Sequence, residues 1–147
     1  MLGGSVLPAC GGETRLGIRE FTTLANQECA SLRSASNDFR KAQDPAFTGD
    51  QVTRFVHRVA ERLRTLVEHI DALAPPESLE ADVDELLDVL GQYADGLDEL
   101  GGRTDPGQTF QGVLEESTGV VNRLNQLATR ATLLVGELGL VDCILPA

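Results

Sequence analysis

Tryptophan is absent from the 147 residues, tyrosine occurs once and phenylalanine five times. So few flat rings leave little platform for stacking bases, sugars or planar cofactors. No run of 18 apolar residues occurs, so no segment of the sequence is long enough to span a bilayer as a helix. Bases are scarce: 12 against 23 acids, for a formal charge of −11. That balance opposes non-specific binding to nucleic acid or to an anionic membrane surface. Signatures of catalysis are missing as well: there is no glycine-rich phosphate loop, no G-x-S-x-G, no H-E-x-x-H and no C-x-x-C. The two histidines, His57 and His69, stand twelve apart, roughly 18 Å along a helix, and cannot share an ion. His57 and Glu61 share a helical face, but a metal site needs about four converging ligands. The Glu-x-x-His pairs of di-iron bundles do not occur. No catalytic residue, metal or cofactor is expected, and the histidines read as boundary residues beside an apolar stripe.

What is present is a helical period. Hydrophobic residues make up 41% of the chain and charged residues 24%, a globular balance. Four segments carry apolar residues at three- and four-residue steps. The first runs from about residue 18 to 42 on Ile18, Phe21, Ala25, Cys29, Leu32 and Phe39, and Asp44-Pro45 ends it. The second takes Asp50 as N-cap and carries Val52, Val56, Val59, Leu63, Leu66 and Ile70 up to Pro75-Pro76. The third, with Ser78 as its cap, carries Val83, Leu86, Leu90, Ala94 and Leu97 and stops at Gly101-Gly102. Gly91 and Gly96 weaken its interior by about 1 kcal/mol each, which packing must offset. The fourth opens at Asp105-Pro106-Gly107-Gln108, with Asp105 as cap, Pro106 at the first helical position and Gln108 reaching back to the cap backbone. It runs through Phe110, Val113, Val120, Leu124, Ala131 and Leu134 to Gly139. No alternating run competes for a strand. The expected fold is all-α: an up-and-down four-helix bundle over residues 18–147, with a disulfide-tied C-terminal tail, preceded by a flexible arm over residues 1–17. Leu63, Leu66, Ile70, Leu86, Leu90, Leu124 and Leu134 are the expected core, and Leu140, Val141, Ile144 and Leu145 should tuck against it.

The three cysteines divide two and one. Antiparallel first and fourth helices bring Cys29, on the apolar face of the first, near Cys143, on a tail beyond the fourth. A bridge there closes a loop of over 100 residues, which the chain-entropy picture values at about 4–5 kcal/mol. The alternative is two buried thiols in a cytosolic protein. Cys10 sits in Leu7-Pro8-Ala9-Cys10-Gly11-Gly12. Leu7, Ala9 and Cys10 match the end of a bacterial lipoprotein signal, a lipobox-like remnant in which Cys10 would be lipidated. Only nine residues precede Cys10, so this reading expects a start upstream of Met1. Its alternative is an exposed cysteine in a flexible arm.

Three short motifs carry a resemblance: Ala25-Asn26-Gln27-Glu28-Cys29, Leu73-Ala74-Pro75-Pro76 and Gly139-Leu140-Val141-Asp142-Cys143. The chain resembles a group of small actinobacterial secreted proteins and lipoproteins in which A-N-x-x-C, L-x-P-P and G-L-x-x-C recur. The resemblance spans about residues 20 to 143. It implies a helical, exported, disulfide-tied domain of the cell envelope or its exterior, and it brings no catalytic residues. Eleven arginines to one lysine fit a GC-rich genome.

Charge is unevenly spread. Between Arg64 and Arg103 there is no lysine or arginine, while the third helix carries Asp82, Glu85, Asp88, Asp95, Asp98 and Glu99. Arg54, Arg58 and Arg62 form a row on the second helix. These rows either face solvent and each other or, for the acids, form a docking face for a basic protein partner. A straight helix cannot wrap such carboxylates around calcium. The leading functional expectation is a non-enzymatic binding or accessory module, touching a membrane only through a lipid anchor and not binding nucleic acid. The alternatives are a cytosolic acidic adaptor and a carrier of a small apolar ligand in the bundle core.

Overall fold

The structure is a computed structural model that describes residues 14–146. Among these residues every regular element is a helix. There are six: α1 (Ile18–Cys29), α2 (Leu32–Gln43), α3 (Asp50–Asp71), α4 (Glu77–Gly102), α5 (Phe110–Glu116) and α6 (Thr118–Leu138).

The two middle segments appear as single long rods. α3 buries Val52, Val56, Val59, Ala60, Leu63, Leu66 and Ile70 on one face. Its N-cap is Gly49 rather than Asp50, which lies in the first turn, where a carboxylate complements the helix dipole. α4 follows Pro76 directly, so Ser78 is helical and not the cap. Gly101 and Gly102 lie inside the last turn of α4 rather than beyond it. The His57 ring fills the space beside Gly101, where a Cβ would approach its Cε1 to 3.2 Å.

The first and last segments are each broken. Between α1 and α2 the backbone tightens into i→i+3 bonds, from the Ser31 N–H to the Glu28 carbonyl and from the Arg33 N–H to the Ala30 carbonyl. The expected fourth helix starts later than Asp105. Residues 105–108 form a turn closed from the Gln108 N–H to the Asp105 carbonyl, 3.0 Å. Pro106 and Gly107 (φ +79°) occupy its centre, the residue pairing of a type II turn. The Gln108 side chain does reach back to the Asp105 N–H, 3.0 Å. The helix itself begins at Phe110, where the Thr109 hydroxyl accepts from the Gly112 N–H. Ser117, buried at φ −120° and ψ 41°, then separates α5 from α6.

Packing pairs α2 with α3, α3 with α4, and α4 with α6. Each pair is antiparallel. Thr53 Oγ1 donates to the Gly101 carbonyl, while Arg64 meets Asp95 farther along α3. Arg62 meets Asp38 and His69 meets Glu28. Arg123 meets Glu99 and Arg130 meets Glu85. The Phe39 and Phe110 rings meet edge-on at 5.5 Å between α2 and α5. All seven residues expected in the core are buried.

Ile18, Val141 and Ile144 depart from expectation, at 57%, 71% and 69% exposed. The tail alternates: Leu140 and Cys143 turn inward and are buried, which sends Val141 and Ile144 outward. Ile18 opens the first turn of α1, and Phe21 is the first residue of its stripe to reach the core.

The two glycines inside α4 have opposite roles. A Cβ on Gly96 would stand 2.6 Å from Leu124 Cδ2, whereas one on Gly91 meets nothing within 4 Å. Gly91→Ala should therefore stabilise by about 1 kcal/mol through helix propensity. Gly96→Ala should forfeit that gain, because its Cβ would overlap the buried Leu124 side chain and overpacking costs roughly 1–3 kcal/mol. Chemical denaturation of both variants checks this. Equal stabilisation by the two would contradict the close approach of α4 and α6.

Candidate functional site

The two terminal motifs noted in the sequence meet at one place. α6 ends with Gly139 at φ +70°, a conformation that favours glycine. The Gly139 N–H donates to the Gly136 carbonyl and the Leu140 N–H to the Val135 carbonyl, the bond pair of a Schellman ending. The chain turns there and lays its tail along α1. Asn26 clamps it: its Nδ2 donates to the Gly139 carbonyl at 3.4 Å, and its Oδ1 accepts from the Asp142 N–H at 3.1 Å. Leu140 is fully buried, as is Ala25. The Cys29–Cys143 disulfide closes the arrangement, with Cα atoms 4.9 Å apart across 114 residues of sequence. Asn26 and Cys29 thus hold Gly139, Asp142 and Cys143 as one latch, with Ala25 and Leu140 both in the core. The Leu73-Ala74-Pro75-Pro76 link lies at the same end of the molecule, where the Ala74 carbonyl accepts from the Leu16 N–H at 3.1 Å. Beside the latch is an open groove of about 760 Å³ whose lining includes Thr23, Asn26, Cys29, Arg33, Asp142 and Ile144.

The acidic residues of α4 do not lie on one face. Asp98 and Asp95 turn to α3. Asp98 meets His57 Nδ1 at 2.5 Å and the Arg64 guanidinium at 2.6 Å, and Asp95 takes the other arm of Arg64 at 2.8 Å. The hydrogen bond to Asp95, aided by Asp98, raises the Arg64 pKa against the lowering effect of desolvation. Glu85 and Glu99 turn to α6. Arg130 meets Glu85 at 2.6 Å, and its hydrogen bond holds the Glu85 carboxyl below its usual range. Glu99 takes both Arg123 and Arg103. Asp88 accepts only from Gln92, 2.7 Å. Asp82 is half-buried, and its charge adds to those of Glu85 and Glu137 in raising the Arg130 guanidinium, the Glu85 hydrogen bond foremost. The exposed row of α4 is Glu77, Asp84, Asp88 and Asp95, the last exposed although it also binds Arg64. Glu77 and Asp84 belong to this row although the expected docking face omits them. A helical projection centred on the exposed positions would have found them, since they precede Asp88 and Asp95 by eleven residues each.

Two further features escaped the sequence reading. Asp38 is a buried carboxylate, held by Arg62 Nε at 3.2 Å. Phe55 carries two cations over its ring, Lys41 at 5.9 Å and Arg58 at 5.7 Å. The histidines occupy boundary positions, His57 against Asp98 and His69 against Glu28. Burial raises the Tyr93 phenol.

Among the described residues no group of three or more His, Cys, Asp or Glu side chains is placed to hold a metal ion. No helix among them is long and apolar enough to cross a membrane. Cys10 lies outside the described residues. No protein-family model matches the chain, and neither a curated protein nor a solved structure was found to be significantly similar.

Proposed function

We propose that this chain is a non-enzymatic helical module of the cell envelope, secreted or lipid-anchored through Cys10, that binds or assists a protein partner. In this reading α1–α2, α3, α4 and α5–α6 act as four rods of an up-and-down bundle, each broken pair counting as one rod. The Cys29–Cys143 bridge carries the proposal. Disulfides form and persist in oxidising compartments outside the cytosol, and this one joins opposite ends of the sequence. The latch also supports the resemblance to the actinobacterial group, because it gives every named residue of the A-N-x-x-C and G-L-x-x-C motifs a structural task. A partner with a basic face suits the open carboxylates of α4, Glu77, Asp84 and Asp88 foremost. The acids already held by Arg64, Arg123 and Arg130 serve the fold first.

The test is metabolic labelling in the native host from the full reading frame. Labelled fatty acid should enter the protein and be lost in Cys10→Ser, with the variant moving from the membrane to the soluble envelope fraction. An unlabelled protein retained in the cytosol would overturn the proposal.

A further inference from the structure

Among the described residues four large hydrophobic side chains stand exposed: Ile18, Val141 and Ile144 lie on α1 and the tail that packs along it, and Leu133 is on α6. Ile18, Thr22 and Asn26 form one row of α1 at four-residue spacing. A shallow groove lined by Ile18, Arg19, Thr22, Thr23 and Asn26 shares Thr23 and Asn26 with the groove that Ile144 lines. Val141 sits between Gly139 and Asp142, the two tail residues that Asn26 holds. Ile18 and Ile144 therefore border adjoining grooves along α1, and Val141 lies on the tail segment that Asn26 holds beside them. Exposed apolar side chains gathered at one end of the bundle mark a candidate contact surface.

We propose that the occupant is the lipid surface itself: the Ile18–Val141–Ile144 face rests on the bilayer to which Cys10 tethers the chain. This rests on the lipidation of Cys10 proposed above. The reach is right. Cys10 and Ile18 are eight positions apart, a span of at most about 28 Å when extended. The α1 face from Ile18 to Cys29 is roughly 17 Å long, so all of it falls within the tether's range. Tethering supplies a millimolar effective concentration, so three side chains suffice where free protein would not bind. Electrostatics permits the contact despite the net charge of −11. Exposed acids are spread over several elements, and the open row Glu77, Asp84 and Asp88 lies on α4, which packs against α3 and α6. At the patch itself Arg19 and Arg33 offset Glu20 and Asp142. A second copy of the chain fits less well, because three side chains fall far short of the roughly 20–30 residues per side of a standard interface.

Tethering can be imposed chemically, which separates this proposal from the biology of lipidation. With Cys29 and Cys143 bridged, Cys10 is the one thiol free to couple to maleimide-headgroup lipid in phosphatidylcholine vesicles. Tryptophan is absent from the chain, so Ile144→Trp reports the patch and Leu133→Trp reports a control surface. On tethering, Ile144→Trp emission should shift to shorter wavelength and be quenched by brominated acyl chains, with Leu133→Trp unchanged. Adding Ile18→Asp and Val141→Asp to Ile144→Trp should abolish the shift without changing the melting temperature. An unshifted Ile144→Trp on tethered protein overturns the proposal. Equal quenching of the two reporters also overturns it, as does a shift that appears on concentrating the protein without vesicles, which would assign the patch to a second copy. Failure of fatty-acid labelling in the host would instead overturn the lipidation reading and leave the vesicle result standing.

Discussion

Reduction of the Cys29–Cys143 bridge should lower the melting temperature by roughly 10–20 °C. The bridge spans 114 residues of sequence, and a loop of that length is worth about 4–5 kcal/mol in chain entropy. Each kcal/mol moves the midpoint by about 2–4 °C in a chain of this size. The native geometry should survive the loss of the covalent link. Leu140 is fully buried and Asn26 holds the tail backbone by two hydrogen bonds. The effect thus falls mainly on the unfolded ensemble. Scanning calorimetry with and without reductant, and of the Cys29→Ser/Cys143→Ser double variant, measures it. Circular dichroism of the reduced protein below its midpoint should keep its helical signal. An unchanged midpoint would mean that the reduced, unfolded chain is already constrained or that the bridge is absent in solution.

Leu66→Ala should cost about 2–5 kcal/mol. Leu66 is 1% exposed, between Leu63 and Ile70, both fully buried on the same face of α3. α3 packs against both α2 and α4, so a cavity there has walls on several sides and collapses poorly. Urea denaturation of wild type and variant gives the difference directly. A loss below about half a kcal/mol would place Leu66 outside the core, since truncation of a buried leucine costs several times more.

Most of the helical content was legible because its punctuation was chemical. Pro45 and Pro75-Pro76 force chain breaks, and α3 and α4 are long enough for periodicity to dominate. The breaks inside the first and last segments were not legible, because no proline or glycine marks Ala30-Ser31 or Ser117. A step of three or four residues continues across each of them: Cys29 to Leu32, and Val113 to Ser117 to Val120, all buried. A stripe built on such steps absorbs a tightened turn without losing phase. Asp105-Pro106-Gly107 was misread as a helix start because aspartate before proline serves a cap and a turn equally well. Hydrophobicity alone could not orient the tail, where Leu140 is buried and its neighbour Val141 exposed. Nor could charge assign partners on α4. That Glu85 and Glu99 turn to α6 while Asp95 and Asp98 turn to α3 depends on helix neighbours that no local pattern encodes.

A thiol count tests the central claim most directly. The chain beginning at Met1, collected from an oxidising compartment and unfolded without reductant, should expose one titratable thiol, Cys10, and three after reduction. Three thiols before reduction would contradict the Cys29–Cys143 latch and remove the main support for an exported protein.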